Sequence, residues 1–307
     1  MPEIVCYLPT YSPETEADTA FPRPITRATD QEIASRIDSD KGRKKPWMYL
    51  DSIDSILNHR PDIKLVVGDG RSSESIREVM KKHHRESRLE HLEMQWTGGD
   101  VPGSYDLELY PEKMSQWIIF NDIFKKYCDE GTKYFIYSSS DVIWQNDWVS
   151  EAIKEFEKNP RLQILFPCVK NGDPNLPCQI ADGPRDIDSF KAPYQEAAKA
   201  PVLNAYVMMF RMDFLRAYAG YPTVFRNCFT ESFLSFMCDA VGGEMRIAPR
   251  CWAFHYGEGD MWTTPGSAYF YTEEKMIFQD IMNRVQMHRA MNIANVDFYK
   301  KILYKKE

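Results

Sequence analysis

The sequence KYFIYSSSDVIW, residues 133–144, decides the predicted fold. An aromatic and β-branched run that stops at a serine-rich turn is typical of a buried strand that ends in a polar loop. The loop carries one acid, Asp141, close to Ser139. This segment therefore predicts a sheet strand that brings a carboxylate to its carboxyl end.

Strands and helices alternate on the N-terminal side of this segment. In chain order, the patterns predict a strand at residues 3–9, a helix at 47–58, a strand at 64–70 that runs into a glycine turn, a polar helix at 73–84, a strand at 92–96 and a helix from Pro111. Alternation of this kind indicates an α/β fold with a largely parallel central sheet.

Sheets of this type bind ligands beyond the carboxyl ends of their strands. We therefore expect the polar residues that directly follow the predicted strands to share one cleft, although they are far apart in the sequence. These residues are Thr10, Tyr11, Asp69, Arg71 and Asp141.

Length and composition favour one large domain in the cytoplasm. The chain has 307 residues, 43% of them hydrophobic, and a net charge of -7, so a nucleic-acid partner is disfavoured. No apolar run reaches the roughly 18 residues of a membrane span. The start MPEIVCYLPTY lacks the basic flank of a secretory signal. Seven cysteines without a C-x-x-C pair indicate buried, reduced thiols.

Two regions of the chain fall outside this alternation of strands and helices. Residues 12–46 are polar and rich in proline, which predicts either a mobile lid or a partly ordered insertion. We assign residues 1–262 to the main domain and residues 263–307 to a C-terminal helical extension. Within the extension, residues 273–290 predict an amphipathic helix that packs against the domain or, in a homo-oligomer, against a partner subunit.

Four segments resemble the family 2 glycosyltransferases and their GT-A fold. They are VCYLPTY at 5–11, LVVGDGRS at 65–72, YFIYSSSD at 134–141 and TESFLSFMCDAVGGEMRIAPRCWAFH at 230–255. The last is the most specific, because four of its residues fall at the family's spacing to within one position: Glu231, Gly243, Pro249 and His255. The resemblance implies a GT-A type, Rossmann-like domain with a mostly parallel central sheet flanked by helices.

The first two of these segments imply donor binding. Thr10 and Tyr11 match the family's Pro-Thr-Tyr turn, which holds the uracil end of the donor. Asp69 matches an acid that binds the base, although Gly68 stands where the family usually has a second acid. Arg71, directly after the glycine turn, either pairs with a phosphate or is solvated.

The third and fourth segments imply a metal site. Asp141 matches the second acid of the family's D-x-D metal motif, and Ser139 replaces the first, which reduces the negative charge that the protein supplies. The family places a histidine at His255, and an imidazole nitrogen is an acceptable ligand for Mn²⁺. The resemblance therefore implies Mn²⁺ or Mg²⁺ held by Asp141 and His255, and it implies that Ser139 and Asp141 also bind the donor. Taken alone, Asp141 also fits a turn residue, and His255 also fits a core histidine.

Transfer to an acceptor hydroxyl needs a general base. The family commonly has Glu-Asp here, with the second residue often the base, but Ser232 occupies that position. Glu231 is therefore the candidate, and Asp239 is the alternative. The resemblance implies an inverting glycosyltransferase that takes a nucleotide sugar, a UDP-sugar first of all, and a carbohydrate or other hydroxyl acceptor.

Two other functions fit the same fold. A nucleotidyltransferase needs a glycine-rich basic loop after the first strand, and this sequence has PTYSPETEAD, which is acidic and free of glycine. A catalytically silent protein that binds carbohydrate or nucleotide sugar is favoured by Ser139 and Ser232, which replace expected acids.

Overall fold

A computed structural model describes residues 3–11, 25–39, 47–97, 103–112, 114–172, 206–224, 230–256, 267–290 and 296–303. The strands are β1 (Ile4–Thr10), β2 (Lys64–Asp69), β3 (Tyr105–Leu109), β4 (Tyr134–Ser138), β5 (Val142–Trp144), β6 (Leu162–Asn171), β7 (Val207–Arg211) and β8 (Glu244–His255). The helices are α1 (Asp30–Ser39), α2 (Met48–His59), α3 (Glu74–Thr97), α4 (Gln116–Tyr127), α5 (Trp148–Lys158), α6 (Met212–Tyr218), α7 (Thr230–Ala240), α8 (Ser267–Ala290) and α9 (Val296–Leu303).

In the described residues the strands form an eight-stranded sheet, in the order β3-β2-β1-β4-β7-β6-β8-β5. Parallel pairing joins β3 to β2, β2 to β1, β1 to β4 and β6 to β8. Only β7 and β5 run against this direction, since β7 is antiparallel to β4 and β6, and β5 is antiparallel to β8. The mostly parallel sheet flanked by helices, as predicted from the sequence, is confirmed.

Both faces of the sheet are buried, which explains the continuous apolar runs of its strands. Along β1, Val5 and Tyr7 point into one core cluster, while Cys6 and Leu8 point into another. The first cluster takes in residues of α4, α6, α7, α8 and α9, and the second takes in residues of α2, α3 and α5. A sheet covered in this way leaves its strand ends as the place where polar side chains meet solvent.

Two sequence expectations about the strands are wrong or incomplete. Residues 92–96, predicted as a strand, form the last part of α3, and Leu92 and Trp96 are 54% and 92% exposed there. A short apolar run does not distinguish a strand from a helix, and these apolar side chains do not enter the core. The strand next to β2 is β3, and β6 was also not assigned from the sequence.

Part of the long segment 12–46 is an ordered helix. Ile33 of α1 is buried in a third cluster that includes Met48 of α2 and Tyr256, directly after β8. The Arg36 guanidinium donates to the buried Asp51 carboxylate, with Nη2 2.6 Å from Oδ1. This helix is therefore fixed against the main domain, whereas residues 12–24 and 40–46 lie outside the described residues.

The C-terminal helices pack on the domain itself. Ile281, Met282 and Val285 of α8 and Tyr299 of α9 are buried in the first core cluster. The apolar face of the predicted amphipathic helix is thus covered within the chain, and association of two copies through this region stays a prediction. No described helix combines the length and the hydrophobicity that a membrane span requires.

The described cysteines are buried or half-buried thiols, and none of them forms a disulfide with another described cysteine. Burial raises the pKa of the Cys128 thiol to about 12, and it raises the pKa values of Cys6 and Cys251 further. These thiols are therefore protonated at neutral pH and unsuited to nucleophilic chemistry or metal binding. Cys178 and Cys228 lie outside the described residues.

Candidate functional site

The ends of β1 and β2 are joined side by side. Thr10 pairs with Asp69 in the parallel register, and its hydroxyl donates to Asp69 Oδ1 at 3.3 Å. The Gly70 amide donates to the Thr10 carbonyl at 2.9 Å. Both side chains are buried, so this pair forms the floor of the sheet edge where the sequence predicted a ligand cleft.

Asp69 anchors the turn between β2 and α3. Besides Thr10, its carboxylate accepts from the Ser72 amide at 3.1 Å, from the Ser72 hydroxyl at 2.5 Å and from Arg77 Nε at 2.7 Å. A carboxylate has about four acceptor positions, so these contacts occupy nearly all of them. Contact between Asp69 and a nucleobase stays a prediction, and it requires one of these donors to give way. Arg77 was not predicted from the sequence. A basic residue in the first turn of α3, close to the acid that ends β2, is the signal that could have identified it.

Tyr11 and Arg71 follow the two strand ends and face solvent. Tyr11 is 45% exposed, and Arg71 is also exposed. Arg71 has a φ of 73°, in the left-handed region that non-glycine residues rarely adopt. Strained positions of this kind concentrate at functional sites. The ends of β1 and β2 therefore present an exposed aromatic ring and an exposed guanidinium.

Gly68 explains one departure from the family 2 pattern. A Cβ added to this glycine would lie 2.8 Å from Ile119 Cγ2 and 2.9 Å from a ring carbon of Tyr7, both in the core. No side chain fits there unless α4 moves away from the sheet. An acid at this position is therefore excluded by packing in this chain.

Ser139, Asp141 and His255 converge in the turn between β4 and β5 and at the end of β8. The Ser139 hydroxyl donates to Asp141 Oδ1 at 2.6 Å, and His255 Nε2 lies 3.4 Å from Asp141 Oδ2. Asp141 is 4% exposed and His255 is 5% exposed. The structure therefore brings together three of the residues that the sequence assigned to donor and metal binding.

Two further residues hold the histidine, and neither was predicted from the sequence. His255 Nδ1 lies 2.9 Å from Asn171 Oδ1, and the Tyr206 ring stacks on the imidazole at 4.1 Å between centroids. Asn171 is the last residue of β6, a strand that was not assigned from the sequence, so its position at a strand end was not recognised. Tyr206 directly precedes β7 and carries no such signal.

The sheet order brings the two halves of the site to one edge. β1 pairs directly with β4, and Tyr7 is in register with Tyr137. From these two positions the chain runs on to Thr10 in one strand and to Ser139 after the other. The expected neighbourhood of Thr10, Asp69 and the Asp141 turn is therefore provided by the strand order.

The donor atoms of Asp141 and His255 suit a divalent cation. Carboxylate oxygen and imidazole nitrogen are ligands that Mn²⁺ accepts, and Mg²⁺ typically takes one or two carboxylates together with water and substrate phosphate. Among the described residues, no group of three or more His, Cys, Asp and Glu side chains is arranged to hold a metal. This pair therefore fits a cation that takes most of its remaining ligands from a bound diphosphate and water.

The proposed general base lies in a part of the chain that the structure describes only as backbone. Glu231 is in the first turn of α7, and its side chain lies outside the described residues. The alternative, Asp239, is an exposed residue in the last turn of the same helix. The two candidates therefore lie at opposite ends of one helix.

Comparisons with known proteins identify the fold. No family model matches the chain, and a search of curated proteins finds no match. Among solved structures, S. aureus TarS matches with a TM-score of 0.52 and 8% identity over 84% of this chain and 37% of that chain. The TarS 1–349 structure in complex with UDP-GlcNAc matches with a TM-score of 0.51 and 9% identity, over 85% and 61% of the two chains.

A weaker likeness, with a TM-score of 0.47 and 14% identity, is to the mannosyltransferase PcManGT from Pyrobaculum calidifontis in complex with GDP-Man and Mn²⁺, over 83% and 57% of the two chains. The chain spans less than two thirds of the length of each of these structures. Membership of glycosyltransferase family 2 stays a prediction. The likeness to the TarS structures shows that this chain has the GT-A glycosyltransferase fold.

Proposed function

We propose that this protein transfers a glycosyl group from a nucleoside-diphosphate sugar to an acceptor hydroxyl, with inversion at the anomeric carbon and with Mn²⁺ or Mg²⁺ at the diphosphate. The observation that carries the proposal is the pairing of Asp141 and His255, with Nε2 3.4 Å from Oδ2. Asp141 follows β4, the strand next to β1, and β1 carries Thr10, which is hydrogen-bonded to Asp69 of β2. His255 is the last residue of β8. The GT-A fold supports the same assignment.

The leaving group sets the first chemical requirement. Negative charge develops on the diphosphate as the glycosidic bond breaks, and a divalent cation bound here would neutralise that charge. Asp141 and His255 would hold the cation. The Ser139 hydroxyl, 2.6 Å from Asp141 Oδ1, orients the carboxylate so that Oδ2 faces the histidine. Ser139 thus acts as a positioning residue where a second acid is absent.

The nucleoside diphosphate sets the second requirement. Tyr11 offers an exposed ring for stacking on the base, and Arg71 carries none of the hydrogen bonds or ion pairs found among the described residues. A guanidinium presented in this way binds phosphate oxygens through fixed, planar donors. The hydrogen bond between Thr10 and Asp69 joins the two strand ends that carry these groups.

Attack by the acceptor sets the third requirement. One carboxylate removes the hydroxyl proton while the oxygen attacks the anomeric carbon from the face opposite the diphosphate, which inverts the configuration. Glu231 takes this role in our proposal. A single base is sufficient, because the mechanism passes through no covalent intermediate.

The choice of donor rests on the sequence and on one relative of the same fold. The Pro-Thr-Tyr turn resembles a uracil site, and TarS 1–349 has been crystallised with UDP-GlcNAc. Both support a UDP-sugar as the first donor to test. The acceptor is a hydroxyl compound, and a carbohydrate is the first class to test.

The test is a binding panel followed by a turnover assay. We expect isothermal titration calorimetry to detect UDP binding that strengthens at least tenfold with Mn²⁺, and to detect weaker binding of GDP, CDP and ADP. Mass spectrometry should then find slow hydrolysis of one UDP-sugar. Absence of binding to every diphosphate, with and without Mn²⁺, would contradict the proposal. Binding without turnover of any sugar and acceptor would instead favour the catalytically silent binding protein.

A further inference from the structure

We propose that Asn171 is a positioning residue that fixes the tautomer of His255, so that Nε2 is the ring nitrogen presented to a cation beside Asp141. The inference rests on the proposed function, because it concerns the ligands of the same cation. It adds a residue that lies on another strand and that does not itself contact the cation.

The contact between Asn171 and His255 determines where the imidazole proton lies. Asn171 Oδ1 is 2.9 Å from His255 Nδ1, and both residues are buried. An amide oxygen only accepts hydrogen bonds, so Nδ1 must carry a proton to make this bond. In the neutral ring, Nε2 then carries the lone pair, which is the form that binds a metal.

The tautomer of His255 determines which atom faces the Asp141 carboxylate. With the lone pair on Nε2, two acceptor atoms, His255 Nε2 and Asp141 Oδ2, face each other at 3.4 Å, and a bound cation would remove their repulsion. Carboxylate oxygen and imidazole nitrogen are both ligands that Mn²⁺ accepts, so Asp141 and His255 in this tautomer would hold such a cation. The opposite tautomer would place a proton between the two groups, where it competes with the cation.

The backbone holds Asn171 in place independently of any ligand. Asn171 pairs with His255 in the parallel register of β6 and β8, and the Gly172 amide donates to the His255 carbonyl at 2.8 Å. The Tyr206 ring covers the imidazole, with an interplanar angle of 26°. The amide is therefore aimed at Nδ1 by strand pairing, which is more rigid than a loop contact.

The experiment reads the tautomer directly. Long-range ¹H–¹⁵N correlation spectra of the metal-free full chain should show the Nδ1–H form of His255 in the wild type. Asn171→Leu removes the acceptor, and we expect the Nε2–H form to become substantially populated. The Mn²⁺ concentration that broadens the His255 ring signals should rise tenfold or more, in line with the usual effect of losing such a partner.

Two variants complete the test. Asn171→Asp keeps an acceptor at the same position, so it should retain the Nδ1–H form and a Mn²⁺ response within about threefold of the wild type. Asn146→Leu is the matched control, because the Asn146 side chain also bonds to β8, at Trp252 N and Arg250 O, but does not contact His255 in the described hydrogen bonds. It should change neither the tautomer nor the Mn²⁺ response.

The outcomes separate this inference from the proposed function. An unchanged tautomer and Mn²⁺ response in Asn171→Leu would overturn the inference, and so would a wild-type His255 that Mn²⁺ does not broaden. If Asn171→Leu fails to fold, an Nε2–H form in Asn171→Asp would overturn it as well. No sugar is present in these measurements, so a protein that passes them but transfers no glycosyl group contradicts only the proposed function.

Discussion

Asp141 and His255 face each other across the antiparallel pair β5 and β8, with Oδ2 of the aspartate 3.4 Å from Nε2 of the histidine. The backbone holds the same two positions: Val142 is in register with His255, and the Tyr256 amide donates to the Asp141 carbonyl at 3.0 Å. Because the strand pairing does not depend on the side chains, either side chain can be replaced while the other stays in place.

Asp141→Asn should abolish the effect of Mn²⁺ on UDP binding while the protein remains folded. The amide removes the charge that attracts the cation but still accepts from Ser139, so we expect the free energy of unfolding to change by about 1 kcal/mol or less. Calorimetric titration of UDP with and without Mn²⁺ should show at least a tenfold loss of the Mn²⁺-dependent affinity.

Asp147→Asn is the matched control for this change. Asp147 caps α5 by accepting from the Ser150 amide, and asparagine caps helices about as well as aspartate. The control variant should keep the Mn²⁺ response of the wild type. An equal loss in both variants would show that the effect of Asp141→Asn is not specific to the metal pair.

Arg71→Gly should separate stability from donor binding. Arg71 is held at a φ of 73°, and a non-glycine residue in this region costs about 1 kcal/mol or more, which glycine avoids. We therefore expect the thermal unfolding midpoint to stay the same or rise. The affinity for UDP should fall at least fivefold, because the exposed guanidinium is lost.

Ala219→Gly provides the same relief of strain without the loss of a charge, since Ala219 has a φ of 61° at the end of α6. It should raise the unfolding midpoint and leave UDP binding unchanged. If Arg71→Gly also leaves UDP binding unchanged, Arg71 is a solvated turn residue and not a phosphate ligand.

The sequence predicted the parts of this fold that depend on local pattern. β1, β2 and β4 were recognisable because each is a buried apolar run that ends in polar residues, and these are the strands that carry Thr10, Asp69 and the Asp141 turn. The C-terminal motif also matched the family at Glu231, which lies in α7, and at His255, which the structure places at the end of β8. The candidate site was therefore predictable wherever a strand end and a family motif coincided.

The sequence did not predict the partners that only tertiary packing supplies. Asn171 meets His255 because β6 and β8 pair in parallel, and no local pattern specifies that pairing. Arg77 was missed for a similar reason, since its role depends on a hydrogen bond to Asp69 across the turn between β2 and α3. At residues 92–96, a helix end with exposed apolar side chains has the composition of a strand, so the pattern was ambiguous.

Arg36→Met should destabilise the protein through α1. The Arg36 guanidinium makes two hydrogen bonds to Asp51, at 3.0 and 2.6 Å, and Asp51 is fully buried. Removing one partner of a buried ion pair typically costs about 3–5 kcal/mol, and the Tyr256 hydroxyl, 3.4 Å from Asp51 Oδ2, offsets part of this loss. Chemical denaturation should report this loss, and the double variant Arg36→Met/Asp51→Asn should recover part of it.

Lys133→Met is the control for an exposed ion pair, because Lys133 and Glu3 meet at the surface with exposed fractions of 62% and 66%. Screening by solvent makes such pairs contribute little, so we expect no measurable change in unfolding. If the double variant is no more stable than Arg36→Met alone, the charge on Asp51 is not the cause of the destabilisation.

Glu231→Gln should remove transfer while keeping donor binding. A general base typically contributes a factor of about 10²–10⁴ to the rate, and glutamine keeps the size of the side chain without accepting a proton at neutral pH. We therefore expect kcat to fall by about that factor with UDP affinity within about twofold of the wild type, measured by product formation and by calorimetry.

Asp239→Asn decides between the two ends of α7. Asp239 is exposed in the last turn of this helix, and Glu231 is in the first turn. A residue outside the reaction centre changes neither kcat nor UDP affinity, which is the result we expect for Asp239→Asn. If activity is instead lost in Asp239→Asn and kept in Glu231→Gln, with UDP affinity unchanged in both, the base is Asp239. The reason is that the group that takes the acceptor proton is needed for the chemical step and not for donor binding.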